Sequence, residues 1–186
     1  MPLFIIEHLE PEVFEWCLIE YESISKVLGR KFVLFTNTSD ERLKKFGRVE
    51  KKSVENLHLS NACVLDPEAE LTLTPEEAKD FDYFIFGGIL GDDPPKERTK
   101  VELTNKLKNS AVRNLGKKQM STDNAVLVVK KIIEGTPLNK IEFIDNPTIE
   151  TDENEEVSLP YRYVKVNGKP FMSQKIIEML KRKDMF

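Results

Sequence analysis

Short apolar runs alternate with amphipathic segments along this chain, a pattern typical of a sheet covered by helices. The runs that predict strands are Leu3–Glu7, Phe32–Phe35, Ala62–Leu65, Phe81–Phe86, Ala111–Leu115, Ile141–Ile144 and Tyr161–Val166. Apolar residues at helical spacing predict helices over 10–28, 41–46, 99–108, 121–133 and 173–183, and a capping box at 74–77 marks one further helix start. The sequence therefore predicts an α/β fold with a largely parallel sheet covered by helices.

The chain of 186 residues has the length of a single domain. It shows no internal repeat, linker or low-complexity tract, and the acidic segment 150–156 is the one predicted mobile loop. Its apolar runs are too short to span a membrane. The N-terminus lacks the basic region and cleavage site of a signal peptide. These features predict a cytoplasmic protein without a membrane partner.

Charge is distributed unevenly along the chain. Residues 1–25 carry six Glu and no base, residues 142–156 carry seven acids and no base, and residues 96–131 carry ten bases against three acids. This pattern fits either ordinary solvated surfaces or a basic face for an anion and an acidic face for a cationic partner. The net charge of −4 argues mildly against nucleic acid as the main partner.

Several kinds of site are not supported by the residues present. Cys17 and Cys63 are too few for a zinc or disulfide framework, and two distant histidines give no ligand set, so no metal is expected. Neither a dinucleotide-binding glycine motif nor a phosphate-binding loop motif occurs. Nucleophilic catalysis also lacks its usual parts, because Cys17 lies in a helical pattern rather than at a strand-to-helix elbow.

Three predicted strand ends carry residues that let a ligand approach the backbone. Segment 86–95 holds three glycines within five residues. Segment 115–123 joins a strand end to a helix N-terminus, which suits a carboxylate. Segment 144–147 continues through the acidic stretch to 160–161. A lone glycine pair would indicate only a tight turn, but two neighbouring ends of this kind favour a nucleotide-like ligand.

Several segments resemble the SPOUT, or α/β-knot, methyltransferase family first catalogued as predicted RNA methyltransferases. They are FIIEHL at 4–9, FDYFIFGGILGDDPPKERT at 81–99, LGKKQMSTD at 115–123, IEFIDNP at 141–147 and LPYRYV at 159–164. A fungal member of that family is a protein-arginine methyltransferase acting on a small-subunit ribosomal protein. The resemblance spans nearly the whole chain and is most specific at the Gly-Gly-Ile-Leu-Gly-Asp block.

The resemblance implies a deep trefoil knot in the C-terminal half, an exception to the usual rule of unknotted connections. The single domain would comprise a Rossmann-like half (1–80), the knot (81–160) and a C-terminal extension (161–186). S-adenosyl-L-methionine would bind bent within the knot. The residues implied in cofactor binding are Gly87, Gly88, Ile89, Leu90, Gly91, Asp92, Leu115, Gly116, Gln119, Met120, Ser121, Asp123, Pro160 and Tyr161.

Methyl transfer to arginine requires carboxylates that orient the guanidinium and take up its proton. The predicted catalytic residue is Glu7, with Asp145 or Asp92 as a second carboxylate and His8 beside it. The favoured function is arginine N-methylation of a basic ribosomal protein. An rRNA or tRNA methyltransferase and a non-catalytic ribosome-assembly binding module are the alternatives. Family members usually pair through the knot, but the segment 161–183 could cover that surface, so homodimer and monomer both stay open.

Overall fold

The structure is a computed structural model that describes residues 1–92, 94, 96–152 and 155–182, without the side chains of Asp152 and Glu155. Its centre is a six-stranded, entirely parallel sheet with the strand order β3-β2-β1-β5-β4-β6. The strands are β1 (Leu3–His8), β2 (Val33–Thr36), β3 (Arg48–Val49), β4 (Ala62–Leu65), β5 (Tyr83–Gly88) and β6 (Ala111–Arg113). The prediction of a largely parallel α/β sheet is confirmed.

Both faces of this sheet are buried, because side chains alternate along each strand. Phe4, Ile6 and Phe84 face one core, against the long helices α1 (Glu15–Leu28) and α3 (Thr122–Ile133). Ile5 and Ile85 face a second core together with Leu103, which follows the short helix α2 (Arg98–Glu102). The apolar runs that predicted strands are therefore continuous because each strand is covered on both sides.

The C-terminal part forms two smaller antiparallel sheets and a last helix. They contain β7 (Phe143–Asp145), β8 (Thr148–Asp152), β9 (Glu155–Ser158), β10 (Arg162–Val166), β11 (Lys169–Pro170) and α4 (Gln174–Lys181). Strand β10 pairs with β7 and β11, and β8 pairs with β9. The segment 150–156, predicted as a mobile acidic loop, is not a loop in its described residues, which belong to this β8–β9 pair; residues 153 and 154 lie outside them.

Several predicted helices are shorter in the structure than the sequence pattern indicated. The first helix begins at Glu15 rather than near Glu10. The Glu10 carboxylate instead joins this segment to the loop after β5 and to α2, accepting hydrogen bonds from Leu90 N and Arg98 Nη1, each at 2.8 Å. The segments 41–46, 74–79 and 103–108 give only 3₁₀ turns, and the predicted cap survives as a 3.3 Å bond from Glu77 N to Thr74 Oγ1. Short amphipathic stretches form full helices only where tertiary packing supports them.

Candidate active site

A cavity lies beyond the carboxyl ends of β4, β5 and β6, where the sheet meets the first turn of α3. Its apolar wall comprises Leu65, Phe86, Leu115, Met120 and Ala125. Its polar lining comprises the buried Asp66 and, at the more exposed rim, Glu68, Asp92, Lys96, Glu97, Arg98 and Gln119. The cavity therefore combines an apolar wall with a charged rim, as small-molecule sites usually do.

The loop after β5 brings the backbone itself to the cavity. At Gly91, an added Cβ would lie 2.5 Å from Tyr161 Cε1 and 2.7 Å from Gln119 Nε2, so a side chain fits there only if Tyr161 and Gln119 move. The Gln119 amide donates to the carbonyl of Asp92 at 3.2 Å, and the Tyr161 hydroxyl donates to that of Gly91 at 3.0 Å. Contacts from two other segments thus hold this glycine loop in place.

The loop after β6 is anchored on the connection that follows β4. Asn114 is buried, and its side chain donates to the carbonyl of Ala69 and accepts from the Thr72 hydroxyl, both at 2.9 Å. Gly116 follows with φ +89°, a conformation that favours glycine. Lys117 Nζ then donates to the carbonyls of Pro67 and Ala69 at 3.0 Å. These bonds bring the ends of β4 and β6 together around the cavity.

Asp145 forms an ion-pair network beside the cavity rather than in its lining. Its carboxylate pairs with Lys118 at 2.6 Å and with Arg162 at 2.7 Å, and the two cations hold its pKa well below the usual range. The Arg162 guanidinium also stacks 4.7 Å from the Phe143 ring centre. Asp145 is therefore engaged in joining β7 and β10 to the loop after β6.

Glu7 and His8, at the end of β1, are buried away from the cavity lining. Glu7 accepts hydrogen bonds from Thr36 Oγ1 and Ser53 Oγ at 2.5 Å and from Val54 N at 2.9 Å. His8 Nδ1 lies 2.8 Å from the Tyr21 hydroxyl, and burial lowers the pKa of its ring. Both side chains therefore have partners on the neighbouring strand, turn or helix rather than in the cavity.

Of the residues implied in cofactor binding, eight line the cavity: Gly87, Ile89, Gly91, Asp92, Leu115, Gly116, Gln119 and Met120. Six lie around it without lining it: Gly88, Leu90, Ser121, Asp123, Pro160 and Tyr161. Gly88 instead packs closely against Tyr21 and Ile6. Asp123 is buried behind the wall, where it accepts a hydrogen bond from Ser121 Oγ at 2.7 Å.

The sequence reasoning missed the strand end at 65–68, which contributes one side of the cavity, and did not assign the rim residues 96–99 to the cofactor site. Strand β4 pairs directly with β5, so its end had to lie beside the glycine loop. Taken alone, Asp66-Pro67 indicates only a strand break. The available signal was that a second strand leading into Asp-Pro ends at the same sheet edge as Gly87-Gly88.

Comparison with known proteins decides the family of this chain. The family model described as protein arginine N-methyltransferase SFM1-like matches residues 3–185. This chain belongs to the SFM1-like family. The protein arginine N-methyltransferase SFM1 of Saccharomyces cerevisiae is 36% identical over 201 residues, which cover 96% of this chain and 94% of that protein. The family resemblance expected from the sequence is confirmed.

Solved structures of the SFM1-like relative agree with this assignment. The yeast enzyme complexed with SAM matches with a TM-score of 0.89 at 36% identity, covering 97% of this chain and 90% of that one. Its complex with SAH gives 0.88 over 96% and 94% of the two chains. The dual specific Trm10 of Thermococcus kodakaraensis matches at 0.60 with 18% identity over 75% of this chain and 96% of that one, which indicates a shared fold alone.

Proposed function

We propose that this SFM1-like protein is a SAM-dependent methyltransferase that methylates an arginine nitrogen of a basic ribosomal protein in the cytoplasm. The observation that carries the proposal is the cavity at the ends of β4, β5 and β6, in a chain whose yeast relative is named an arginine methyltransferase and was solved with SAM. No helix within the described ranges is long and apolar enough to cross a membrane.

The residues around the cavity suit an adenosyl ligand. Leu65, Leu115 and Met120 offer an apolar surface for a flat purine ring, while the uncovered backbone at Gly91 can hydrogen-bond its edge. SAM supplies a methyl group on a sulfonium, which an acceptor nitrogen takes by in-line displacement to leave SAH. The part of this chain is to hold both reactants in line and exclude water between them.

The acceptor guanidinium meets carboxylates at the mouth of the cavity. Glu7 and Asp145 are occupied by hydrogen bonds and ion pairs outside the lining, whereas Asp92 and Glu97 line it. The ion-pair partners of these two rim carboxylates are the exposed lysines Lys96 and Lys100. Such surface pairs exchange readily for a better-oriented guanidinium, which binds carboxylates through two parallel hydrogen bonds.

A protein acceptor fits better than RNA, because four of the basic side chains near the cavity, other than the exposed Lys96 and Lys100, already have partners. Arg98 pairs with Glu10 at 2.8 Å and Arg113 with Glu77 at 2.6 Å. Lys118 pairs with Asp145 at 2.6 Å, and Lys117 donates to two carbonyls. A phosphate backbone would have to displace these contacts, and neutralising phosphates is the main source of affinity for RNA.

The trefoil knot implied by the family resemblance belongs to the same proposal. After β6, the segment 114–119 bonds first to the connection after β4, through Leu71 and Leu73, and then to the loop after β5, through Gln119. The chain next enters α3, which packs against α1 and β5. This path supports a chain that threads between the two loops before α3 begins.

A methyl-transfer assay with radiolabelled SAM tests the proposal on separated ribosomal protein and RNA fractions. We expect label in protein, recovered as methylarginine after hydrolysis. Label in RNA would instead support the alternative of an RNA methyltransferase. Label in neither fraction would favour a non-catalytic binding module. The variant Ala125→Phe is the negative control, because the larger side chain on α3 would fill the cavity. We expect it to abolish methyl transfer while circular dichroism shows that the protein stays folded.

A further inference from the structure

Two buried carboxylates lie at the first turn of α3, behind the wall of the cavity. Glu20 of α1 is 7% exposed, and its carboxylate accepts hydrogen bonds from Trp16 Nε1 at 2.7 Å and from the backbone N–H of Thr122 at 3.3 Å. Asp123, the next residue, is 4% exposed and accepts from Ser121 Oγ and Asn124 Nδ2. Glu20 on α1 thus binds the first turn of α3, and the N-terminal end of a helix favours a negative charge.

No basic side chain within the described ranges forms an ion pair with either carboxylate, and the donors that reach them are neutral. The other titratable neighbours are the weak acids Cys17 and Tyr21 on α1 and Tyr163 on β10. The Tyr163 hydroxyl is buried and has no hydrogen-bond partner among the described atoms. The neutral donors and the helix end offset part of the charge, but no basic side chain of the described residues does, so two ionised carboxylates buried side by side are disfavoured.

We propose that Glu20 and Asp123 form a proton-sharing pair that positions the first turn of α3, and with it the 119–122 wall of the cofactor cavity. Gln119, Met120 and Thr122 line that cavity, so displacing the Thr122 N–H from Glu20 moves its wall. The proposal rests on the proposed function, since it assigns these carboxylates as positioning residues for SAM. One proton keeps the pair from repelling itself, as in other carboxylate dyads.

The titration behaviour supports this arrangement. Burial, followed by the charge of Asp123, raises the pKa of Glu20 from 4.5 to about 8, and burial also raises the pKa of Asp123. Between about pH 4.5 and pH 8 the folded protein therefore holds a proton that the unfolded chain has released. The free energy of unfolding consequently falls as pH rises through this window. Above about pH 8, Glu20 is ionised in both states and no longer changes the free energy of unfolding with pH.

Calorimetric titration with 5′-methylthioadenosine between about pH 6 and pH 9.5 tests the pair, because this probe lacks the ionisable amino acid group of SAM. We expect the wild-type Kd to rise several-fold as pH passes about 8, when Glu20 loses its proton. Glu20→Gln keeps an acceptor and cannot ionise, so its Kd at neutral pH should stay within about two-fold and show no rise. Asp123→Asn should remove the same rise.

Glu22→Gln is the matched control, since Glu22 lies on α1 in ion pairs with Lys26 and Lys175 and should leave the pH dependence intact. Thermal unfolding without ligand gives a second readout, in which the fall in Tm from about pH 5 to pH 8 should be smaller in Glu20→Gln. A wild-type Kd that is flat across pH 8, or the same rise in Glu20→Gln, overturns the inference alone. A wild type that binds no probe at neutral pH overturns the proposed function as well.

Discussion

Individual carboxylates around the cavity differ in how much of their binding capacity the protein itself uses. Glu7 accepts three short hydrogen bonds inside the molecule, and Asp145 neutralises two cations. Asp92 has one ion pair, with Lys96, whose side chain is 68% exposed. A carboxylate can act on a substrate only with oxygens that no buried donor occupies. Among the three predicted carboxylates, this condition favours Asp92 for contact with the acceptor.

Asp92→Asn should lower kcat for methyl transfer roughly 10- to 100-fold, because the amide no longer attracts the guanidinium or takes up its proton. The Kd for 5′-methylthioadenosine should stay within about two-fold, since we assign the Asp92 carboxylate to the acceptor and the Asp92 carbonyl that accepts from Gln119 is unchanged. Asp80→Asn, an exposed site at the end of a 3₁₀ turn, is the control. An unchanged kcat in Asp92→Asn would assign the acceptor contact to another group, with Glu97 next in line.

Glu7→Gln should lower the free energy of unfolding by about 2–3 kcal/mol, because an NH2 group replaces one carboxylate oxygen and cannot accept from the donor that faces it, either Ser53 Oγ or Val54 N, and the remaining oxygen accepts without a negative charge. Urea unfolding measures this loss, and Glu55→Gln on the same turn is the exposed control. At temperatures where both variants are folded, kcat should be close to that of the wild type. A large fall in kcat without a loss of stability would instead support Glu7 as the catalytic base.

The loops at the strand ends depend on the C-terminal elements for their position. Tyr161, just before β10, donates to the carbonyl of Gly91, and Arg162 N donates to the carbonyl of Gln119 at 2.8 Å. Asp145 of β7 adds its ion pair with Lys118. Each of these contacts joins a segment after residue 140 to a cavity loop. The C-terminal sheet therefore serves the cavity by positioning its loops.

Tyr161→Phe should weaken binding of 5′-methylthioadenosine about 2- to 10-fold, since it removes the hydroxyl that holds the Gly91 carbonyl. The free energy of unfolding should change by less than about 1 kcal/mol, because this hydrogen bond is exposed. Calorimetry and urea unfolding measure the two quantities. Tyr83→Phe, at the start of β5 and away from the cavity, should change neither, and equal loss of affinity in both variants would contradict the assignment.

Across the whole molecule, the uneven charge of the sequence is largely neutralised by folding. Of the six glutamates in residues 1–25, Glu7 and Glu20 are buried, and Glu10, Glu15 and Glu22 form ion pairs. Their partners Arg98, Lys175 and Arg182 come from distant parts of the chain. Sequence blocks of one sign are therefore weak guides to surface potential in this fold.

The last helix and strands also cover α1 from outside. Ile19 packs in a cluster with Leu159, Ile176, Met179 and Leu180, and α4 contacts both α1 and β8. This surface of α1 is thereby occupied by the same chain, which supports a monomer over a dimer formed across it. Sedimentation equilibrium should give the mass of one chain. A dimer mass that persists on dilution would contradict this prediction.

The sequence by itself determined seven of the strands, the glycine loops and the family, and it missed β3, β8, β9 and β11. Strand β4 was predicted with its observed bounds, and the ends of β5 and β6 were predicted to hold the ligand and do line the cavity. Apolar runs and glycines determine the conformation of the chain through residues close in sequence, so these features can be read locally. Only the tertiary structure decided which side chains reach that cavity. The 2.8 Å pair of Glu10 with Arg98 joins residues 88 positions apart, and Glu20 reaches Thr122 across 102. Hydrophobic periodicity is local, whereas hydrogen bonds and ion pairs depend on which distant elements the packed core brings together.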